Sequence, residues 1–421
     1  MTNFGRLSKM NVGRFCLDNG LRVVHVEMPS TRMVALNMLF DVGSRDENPE
    51  LTGIAHLLEH LMFCGTADIP NYDDVAQNAG ALTNAWTNTD VTNYYITLPY
   101  QNVETAFCLE SNRMCSLNLQ PQSLRIQRQV VMEEFKQNTL NKPFGQAFQH
   151  LRSLAYTTHP YRWPTIGKNL EHINRISLAD VEDFYTSHYA PNNAILAVVG
   201  HIGLQEVQRL AAKWFAHLPM GKVPERRLPR ELPQHEKRTS TLHESTPTEA
   251  LYMAFHIGSR SDPRFHVFDL MSDVLGGGAS NRLREHLVYK SGMALHTNCF
   301  IDYSLDPGLF YISGKPAPGV ALAELEEAVW HELQALSAQP IGHDEFRRVK
   351  NQFESRYVFD NLNHLNAATN LAFYELLGDV DQVNRQVERY ENVTAGQVLQ
   401  AASECLVENN CSLVAYSNEP E

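Results

Sequence analysis

A proline-rich break near the middle of the chain constrains its fold most strongly. Residues 219–238 contain Pro219, Pro224, Pro229 and Pro233 among charged side chains. Proline fixes φ and removes a backbone donor, so such a stretch forms neither a long helix nor a central strand. The pattern predicts an exposed linker. The break divides 421 residues into two segments of similar length. A chain this long exceeds one compact core, and two domains of about 200 residues each are expected.

Both segments show the same order of predicted elements. The first has strands near 21–27 and 34–42, then helices, a strand pair at 81–98, further helices and a strand at 194–200. The second has strands near 239–242 and 250–257, a helix from about 264, a strand pair at 294–314, long helices over 322–377 and a strand at 412–417. We therefore predict an α+β fold in which residues 1–218 and 239–421 form two similar α/β domains. Each domain would pack a mostly antiparallel sheet with helices. Two unrelated α/β domains are the alternative.

Composition disfavours several classes of partner. A formal net charge of −13 does not suit nucleic acid or an anionic membrane surface. The longest apolar run, 194–199, is far shorter than the roughly 20 residues of a membrane span, and the N-terminus shows no secretory signal. The seven cysteines have no CxxC spacing and fit free thiols in a reducing cytosol. We expect a cytoplasmic protein that binds neither nucleic acid nor membrane.

The pentapeptide His56-Leu57-Leu58-Glu59-His60 carries the clearest chemistry in the sequence. A helix predicted from 48–50 to about 63 places the two histidines four residues apart on one face. Glu59 lies about 60° round from His56. Two neutral imidazoles that bind a metal, with a carboxylate that takes a proton from water, form the core of a catalytic zinc site. The motif HxxEH is the inverted form of the zinc-peptidase motif HExxH.

The alternative is a helix that carries two surface histidines and a glutamate. The neighbouring residues argue against it, since they make the helix largely apolar: Ile54, Leu57, Leu58, Leu61 and Met62. Polar groups in a buried helix need partners, and a metal ion is the simplest partner for two histidines.

Further segments follow one family pattern together with the pentapeptide: 43–47, 53–55, 65–66, 84–87, 159–161, 189–193, 198–200 and 276–283. With these, the sequence resembles the pitrilysin/insulinase family of zinc metallopeptidases, in the branch similar to mitochondrial processing peptidase. The resemblance implies a processing-peptidase-like fold and one Zn²⁺ per chain. It also implies an endopeptidase that hydrolyses extended peptides or unfolded protein segments, with Glu59 as the general base.

The resemblance implies a third zinc ligand further along the chain, and Glu133 and Glu134 both lie at the matching distance. They fall in a helix predicted at 123–138. The apolar side of that helix is set by Leu124, Val131 and Phe135, with Val130 beside them. Glu134 lies close to this arc, whereas Glu133 points nearly opposite Leu124. We predict that Glu134 completes the ligand set with His56 and His60, and that Glu133 is a surface residue.

Other residues around the site are also implied by the resemblance. A glutamate that supports the metal ligands in the family corresponds here to Gln127, an amide that can orient a ligand without adding charge. The family strand that matches 81–87 lies at a sheet edge and pairs with extended substrate. Asn84, Ala85 and Thr87 are therefore the expected substrate contacts, and an ordinary hairpin strand is the alternative.

The second half lacks two expected side chains. Active family members often carry an arginine and a tyrosine there, and the matching positions hold Val288 and Leu295. Arg282 and Tyr289 have the same spacing but are out of register. We therefore expect a homodimer, or a heterodimer with a related chain without zinc. The rival functions are a non-catalytic subunit of such a complex and a metal-dependent hydrolase with a non-peptide substrate.

Overall fold

The computed structural model describes residues 9–244 and 246–418. The strands in this part of the chain are β1 Val12–Cys16, β2 Arg22–Glu27, β3 Met33–Phe40, β4 Leu82–Thr87, β5 Thr92–Pro99, β6 Ala194–Gly200, β7 Arg238–His243, β8 Ala250–His256, β9 Ala294–Ile301, β10 Leu309–Pro316 and β11 Cys411–Ser417.

The α-helices in the same residues are α1 Ile54–Leu61, α2 Tyr72–Asn78, α3 Val103–Cys115, α4 Pro121–Phe135, α5 Ala147–Ala155, α6 Leu170–Arg175, α7 Leu178–His188, α8 Leu204–Phe215, α9 Phe265–Gly276, α10 Leu322–Ala338, α11 His343–Leu362, α12 His364–Leu376, α13 Gln386–Glu391 and α14 Ala395–Cys405. Two π-helical segments, Lys136–Leu140 and Arg284–Lys290, extend the helical structure. None of the described helices combines the length and apolarity needed to cross a bilayer.

The strands form two sheets whose order matches over five strands, and β1 is an additional edge strand of the first sheet. The first sheet has the order β1-β2-β6-β3-β5-β4, and the second has the order β7-β11-β8-β10-β9. In each sheet one pair is parallel, β2 with β6 and β11 with β7, and the other pairs are antiparallel. The same order of elements therefore builds the same arrangement of strands twice, which confirms the predicted α+β fold.

Two compact units are present, and each combines residues from both halves of the chain. Among the described residues, the first unit contains the chain up to Glu134, then Pro164–Arg227 and Arg356–Gln386. The second unit contains Phe135–Trp163, Leu228–Ser355 and the residues from Val387 onward. The division predicted from the sequence, with a peptidase domain at 1–218, a linker at 219–238 and a second domain without a metal site at 239–421, stays a prediction.

Two helices, α12 and α5, each pack on the sheet that is formed by the other half of the chain. In the first unit, α12 packs on β3 and β6, and its Ala367, Ala368 and Leu371 are fully buried in the hydrophobic core of that sheet. In the second unit, α5 packs on β8 and β11 and buries Ala147 and Leu151. An amphipathic pattern shows that a helix covers a sheet without specifying which sheet.

A buried polar cluster also lies between α12 and the first sheet. The side-chain amides of Asn37 and Asn93 exchange hydrogen bonds of 2.8 and 2.9 Å between β3 and β5. The Thr369 hydroxyl on α12 donates to Asn37 Oδ1 at 3.2 Å. Because buried amides require partners, these bonds specify how α12 sits on the sheet.

Two charged residues anchor the proline-rich segment, one in each unit. In the first unit, Arg226 Nε donates to Asp46 at 2.7 Å, and its Nη2 donates to the Asp41 carbonyl at 2.8 Å. In the second unit, Glu231 accepts the backbone N–H groups of Thr157, Thr158 and His159, each at 2.9 Å. Partial burial opposes ionisation of Glu231, but these amide donors outweigh it and lower its pKa to about 2.

We expect Glu231→Gln to lower the free energy of unfolding of the second unit by about 1 kcal/mol at neutral pH, a value reduced for the exposure of the site. The glutamine amide presents donors to backbone N–H groups that need an acceptor. Because the folded pKa is depressed, the stabilisation is present above the ordinary pKa and is lost as pH falls toward about 2.

Denaturant unfolding of both proteins between about pH 7 and pH 3 checks this prediction. The matched control is Glu225→Gln, because Glu225 pairs with Arg227 in solvent, where both side chains are more than 70% exposed and such pairs contribute little. A difference between Glu231→Gln and native protein that stays constant down to pH 3 would contradict the prediction.

Candidate metal centre

Helix α1 begins at Ile54, and the predicted start at 48–50 is wrong. Gly53 caps the helix with φ +99°, a backbone conformation that favours glycine. The Glu47 carboxylate accepts the N–H groups of Gly53 and Ala55, both at 3.0 Å. A carboxylate at this end satisfies amides that have no partner within the helix. The helix carrying the pentapeptide is thus short and held at its first turn.

The apolar face of α1 is buried as predicted. Leu57 and Leu58 are fully buried, and Ile54, Leu61 and Met62 are nearly so. The opposite side of the same two turns carries His56 and His60, whose side chains are 15% and 24% exposed. Burial of the leucines therefore fixes the rotation of the helix and directs both imidazoles to one place.

Glu134 lies opposite the two imidazoles. Its Oε2 is 3.9 Å from His56 Nε2 and 3.6 Å from His60 Nε2. One ligand atom from each of the three residues lies within 4.8 Å of the others. Among residues 9–244 and 246–418, this is the sole group of three histidine, cysteine or acidic side chains with such geometry.

The orientation of α4 separates the two candidate glutamates. Leu124, Val131 and Phe135 are buried on one side of the helix, Glu134 is 36% exposed beside that side, and Glu133 is exposed. Val130 was expected next to the apolar side but is 45% exposed. The packed strip of α4 is thus narrower than its sequence indicates, because a valine in an amphipathic helix need not face the core.

The protonation states of the histidines suit metal binding. Burial, followed by the nearby His60, lowers the pKa of His56 to about 4. Burial also lowers the pKa of His60, although Glu134 and a hydrogen bond to Gln127 act in the opposite direction. Both imidazoles are therefore neutral at pH 7, which is the form that coordinates a metal.

These residues fit a zinc ion. Bonds of about 2.1 Å at tetrahedral angles place ligand atoms about 3.4 Å apart, and the observed separations to Glu134 are 3.6 and 3.9 Å. Two imidazoles and one carboxylate are a ligand set of catalytic zinc sites, which leave one position open. The site needs only small side-chain adjustments to take the ion.

Glu59 lies between the histidines in the sequence and is itself buried, with 9% exposure. Burial raises its pKa to about 7, against the opposing hydrogen bond from Thr87; Glu134 adds to the increase, and Arg113 reduces it. A carboxyl group with this pKa both takes up and releases protons at neutral pH, as a general acid–base catalyst must.

Gln127 lies about two turns before Glu134 on the same side of α4. It hydrogen bonds to His60, and its Nε2 also donates to Cys64 Sγ at 3.6 Å. An amide in this place can orient the imidazole by hydrogen bonding without adding charge, and this role of Gln127 stays a prediction.

Within residues 9–244 and 246–418, strand β4 lies at one edge of the first sheet and pairs with β5 alone. Asn84 is exposed there, and its Oδ1 accepts the N–H of Ala85 at 2.9 Å. The Thr87 hydroxyl donates to Glu59 Oε2 at 2.5 Å. The predicted substrate contacts thus share one edge strand, and Thr87 links that strand to Glu59.

Sequence reasoning missed a buried arginine behind the site. The Arg113 guanidinium of α3 lies 4.4 to 4.7 Å from the ring centres of Phe63, Tyr72 and Tyr94. Its Nη2 is 3.5 Å from Glu110 Oε1, and both side chains are 1% exposed. The sequence does place Glu110 and Arg113 one turn apart on the apolar side of a helix. The same spacing is common in ion pairs on exposed helices, so it did not indicate a buried pair.

The positions where an arginine and a tyrosine were expected hold Val288 and Leu295, and both residues belong to the second unit. Val288 is partly exposed, and Leu295 on β9 is 51% exposed. Arg282 is engaged in a two-point ion pair with Glu345, with both contacts at 2.8 Å. Tyr289 is 60% exposed. Arg282 is therefore committed to a partner within its own unit.

Known proteins resemble the chain over most of its length. Residues 22–169 match the family described as Insulinase (Peptidase family M16), and residues 175–353 match the Peptidase M16 inactive domain. The chain is 28% identical to the zinc protease PqqE of Helicobacter pylori over 92% of this chain and 88% of that protein. It is also 28% identical to the mitochondrial-processing peptidase subunit beta of Saccharomyces cerevisiae, over 49% of this chain and 45% of that protein.

A solved structure shows the same fold. The crystal structure of a protease from Helicobacter pylori matches with a TM-score of 0.92 and 26% identity, over 97% of this chain and 100% of that chain. His56, Glu59, His60 and Glu134 all lie in the segment that matches the Insulinase family. The chain belongs to the insulinase family, peptidase family M16, in which its relatives are named zinc proteases.

Proposed function

We propose that this chain is a zinc-dependent endopeptidase that hydrolyses extended peptides or unfolded protein segments. The observation that carries the proposal is the convergence of His56, His60 and Glu134, with Glu59 on the same short helix. The names of its relatives support zinc and proteolysis for the family. This chain carries side chains that could bind zinc and a carboxyl group that could act as the base.

In the proposed mechanism, His56, His60 and Glu134 hold one zinc ion. Zinc held by these residues would polarise the scissile carbonyl and lower the pKa of a water molecule. Glu59 takes the proton from the attacking water on its carboxylate and returns it to the leaving amine. Burial raises the pKa of Glu59 above its usual range, which makes its carboxylate a stronger base than an exposed glutamate.

Strand β4 supports binding of an extended substrate. An edge strand offers unpaired backbone N–H and C=O groups to a further strand, and hydrogen bonds to the main chain select little among sequences. Asn84 and Ala85 lie on this strand and are the proposed nearest contacts. Folded substrates present few free strands, so unstructured chains are the expected substrates.

Removal of zinc is expected to abolish cleavage of an unstructured peptide library, and added zinc is expected to restore it. The physical reason is that the two neutral histidines and Glu134 have no catalytic role without the ion. Mass spectrometry of the products with and without chelator, together with elemental analysis of the purified chain, checks this prediction. Cleavage that persists in zinc-free protein would refute a metal mechanism.

We further infer that a second chain completes the site, because Val288 and Leu295 offer no charge or hydroxyl to the substrate. The partner is a second copy or a related chain without zinc. The resemblance to a protein named as a subunit supports this inference. Size-exclusion chromatography with and without a co-expressed relative, followed by peptidase assay of each peak, tests it. Full activity of the isolated monomer would contradict it.

A non-catalytic subunit is the alternative, favoured by the match of residues 175–353 to a domain described as inactive. The match to the Insulinase family, however, covers the segment with all four candidate residues. A subunit without catalysis has no need of the ligand set. Zinc-loaded protein that cleaves no peptide, alone or with its partner, would support this alternative.

A further inference from the structure

The contact between Thr87 and Glu59 joins the edge strand to the proposed base. Thr87 is the last residue of β4, and its hydroxyl donates to Glu59 Oε2 at 2.5 Å. A hydroxyl that donates to an ionised carboxylate forms a charge-assisted hydrogen bond, which is stronger than a neutral one. Because a threonine hydroxyl has one hydrogen, a hydroxyl that donates to Glu59 has no hydrogen left to donate to a substrate.

Side-chain alternation explains why Thr87 faces the base. Successive residues in a strand point to opposite faces of the sheet, and Trp86 packs into the hydrophobic core of the first unit. Thr87 therefore faces the other side, where α1 lies beside β4. A shift of one residue in the β4–β5 pairing would turn the hydroxyl away from Glu59.

The turn after Thr87 is held rigidly. Thr87 pairs with Thr92 at the start of the β4–β5 hairpin. In the turn, Asn88 Oδ1 accepts the N–H groups of Asp90 and Val91 at 2.7 and 2.8 Å, and the Asn88 N–H donates to the Val91 carbonyl at 3.0 Å. These bonds fix the backbone position of Thr87 relative to β5.

Residues 43–47 contact both the hairpin turn that follows Thr87 and the helix that carries Glu59. The N–H groups of Ser44 and Arg45 donate to carbonyls in the hairpin turn at 3.1 and 2.9 Å, and Arg45 forms an ion pair with Asp90 at 2.7 Å. A Cβ on Gly43 would lie 2.6 Å from this turn, so only glycine allows the approach. Two residues after Arg45, Glu47 accepts hydrogen bonds from the first turn of α1. Residues 43–47 thus set the spacing between Thr87 and the helix that carries Glu59.

We propose that Thr87 is a positioning residue that holds Glu59 Oε2, so that Oε1 is the oxygen that takes and returns the proton. This inference rests on the proposed function and replaces a substrate contact as the role of Thr87. Rotation of an unrestrained carboxylate would move the accepting oxygen away from the water, and small misplacements of a reacting group are costly.

The first test measures kcat, KM and bound zinc for Thr87→Val and Thr87→Ser. We expect Thr87→Val to lower kcat by about 10- to 100-fold with KM and zinc content unchanged, and Thr87→Ser to recover most of the loss because it keeps the donor. The matched control is Thr97→Val on β5, since Thr97 Oγ1 is buried and forms no hydrogen bond in the described structure. Its kcat should stay within about twofold.

Two outcomes of this test would overturn the inference. A Thr87→Val variant with normal kcat and raised KM would make Thr87 a substrate contact. A Thr87→Ser variant as slow as Thr87→Val would show that the hydroxyl is not what matters.

The second test does not need activity. Thermal unfolding of Thr87→Val, Glu59→Ala and the double variant measures whether the two side chains are coupled. We expect the double variant to be no less stable than the more damaging single variant, and additive losses would overturn the contact. An inactive native protein would defeat the proposed function, while this cycle would still decide whether Thr87 holds Glu59.

Discussion

The Glu59→Gln variant is expected to bind one zinc ion per chain and to hydrolyse peptides about 10²- to 10⁴-fold more slowly than the native chain. Glutamine keeps the shape of the side chain and can still accept the hydrogen bond from Thr87, but it cannot take a proton from water. Glu59 points no ligand atom into the group formed by His56, His60 and Glu134. Peptidase kinetics and elemental analysis of the same preparation check both halves of the prediction.

Variants of the proposed ligands should behave differently from Glu59→Gln. His56→Ala removes one of two imidazoles and is expected to lose zinc and turnover together. Glu134→Gln should also weaken zinc binding, because a carboxylate is replaced by a neutral amide. Glu133→Gln is the matched control, since this side chain is exposed on the other side of α4, and it should retain zinc and activity.

The assignment of the base would be wrong if Glu59→Gln remained fully active. The ligand assignment would be wrong if Glu133→Gln lost zinc while Glu134→Gln kept it. Because Glu133 and Glu134 are adjacent on α4, loss of zinc in Glu134→Gln with full retention in Glu133→Gln would not reflect a general disturbance of that helix.

Replacement of Arg113 by methionine is expected to lower the free energy of unfolding of the first unit by about 3–5 kcal/mol. Arg113 and Glu110 are almost fully buried, with 1% exposure each, and burial already raises the pKa of Glu110 against the attraction of Arg113. Methionine fills similar space but leaves the carboxyl without its counter-charge. The contacts with three aromatic rings are lost as well.

Urea unfolding followed by tryptophan fluorescence measures this loss. Trp86 and Trp214 belong to the first unit, so Trp163 and Trp330 are replaced by phenylalanine in every sample. Adding Glu110→Gln to Arg113→Met should recover part of the stability, because it removes the unpaired charge. Arg209→Met is the control, since Arg209 is 53% exposed in its pair with Glu206, and such exposed pairs contribute little to stability.

A loss below about 1 kcal/mol for Arg113→Met would show that the aromatic cage stabilises a neutral side chain equally well. A double variant as unstable as the single variant would show that Glu110 is not the source of the penalty. Phe63 follows α1 directly and is one wall of the cage, so loss of Arg113 should also weaken zinc binding by loosening the end of that helix.

Local patterns were sufficient to bring the candidate metal ligands together. Four-residue spacing brings His56 and His60 to one side of a helix, and burial of Leu57 and Leu58 sets the rotation of that helix. The same reasoning separated Glu134 from Glu133, because neighbouring positions on a helix point about 100° apart. This reasoning was less reliable for the ends of helices. The start of α1 was placed too early, since the cap depends on Glu47 folding back onto Gly53.

The sequence by itself determined the repeated α+β topology, the pentapeptide helix and the glutamate that faces it, because each depends on periodicity within a few turns or on the order of elements. Only the tertiary structure decided which sheet α5 and α12 cover, which partner Thr87 takes, and that Arg113 lies in an aromatic cage. These features depend on contacts between residues far apart in the chain, and a local pattern leaves such contacts open. The physical reason is that burial drives a side chain inward without selecting its neighbours, whereas close packing and hydrogen-bond geometry select them.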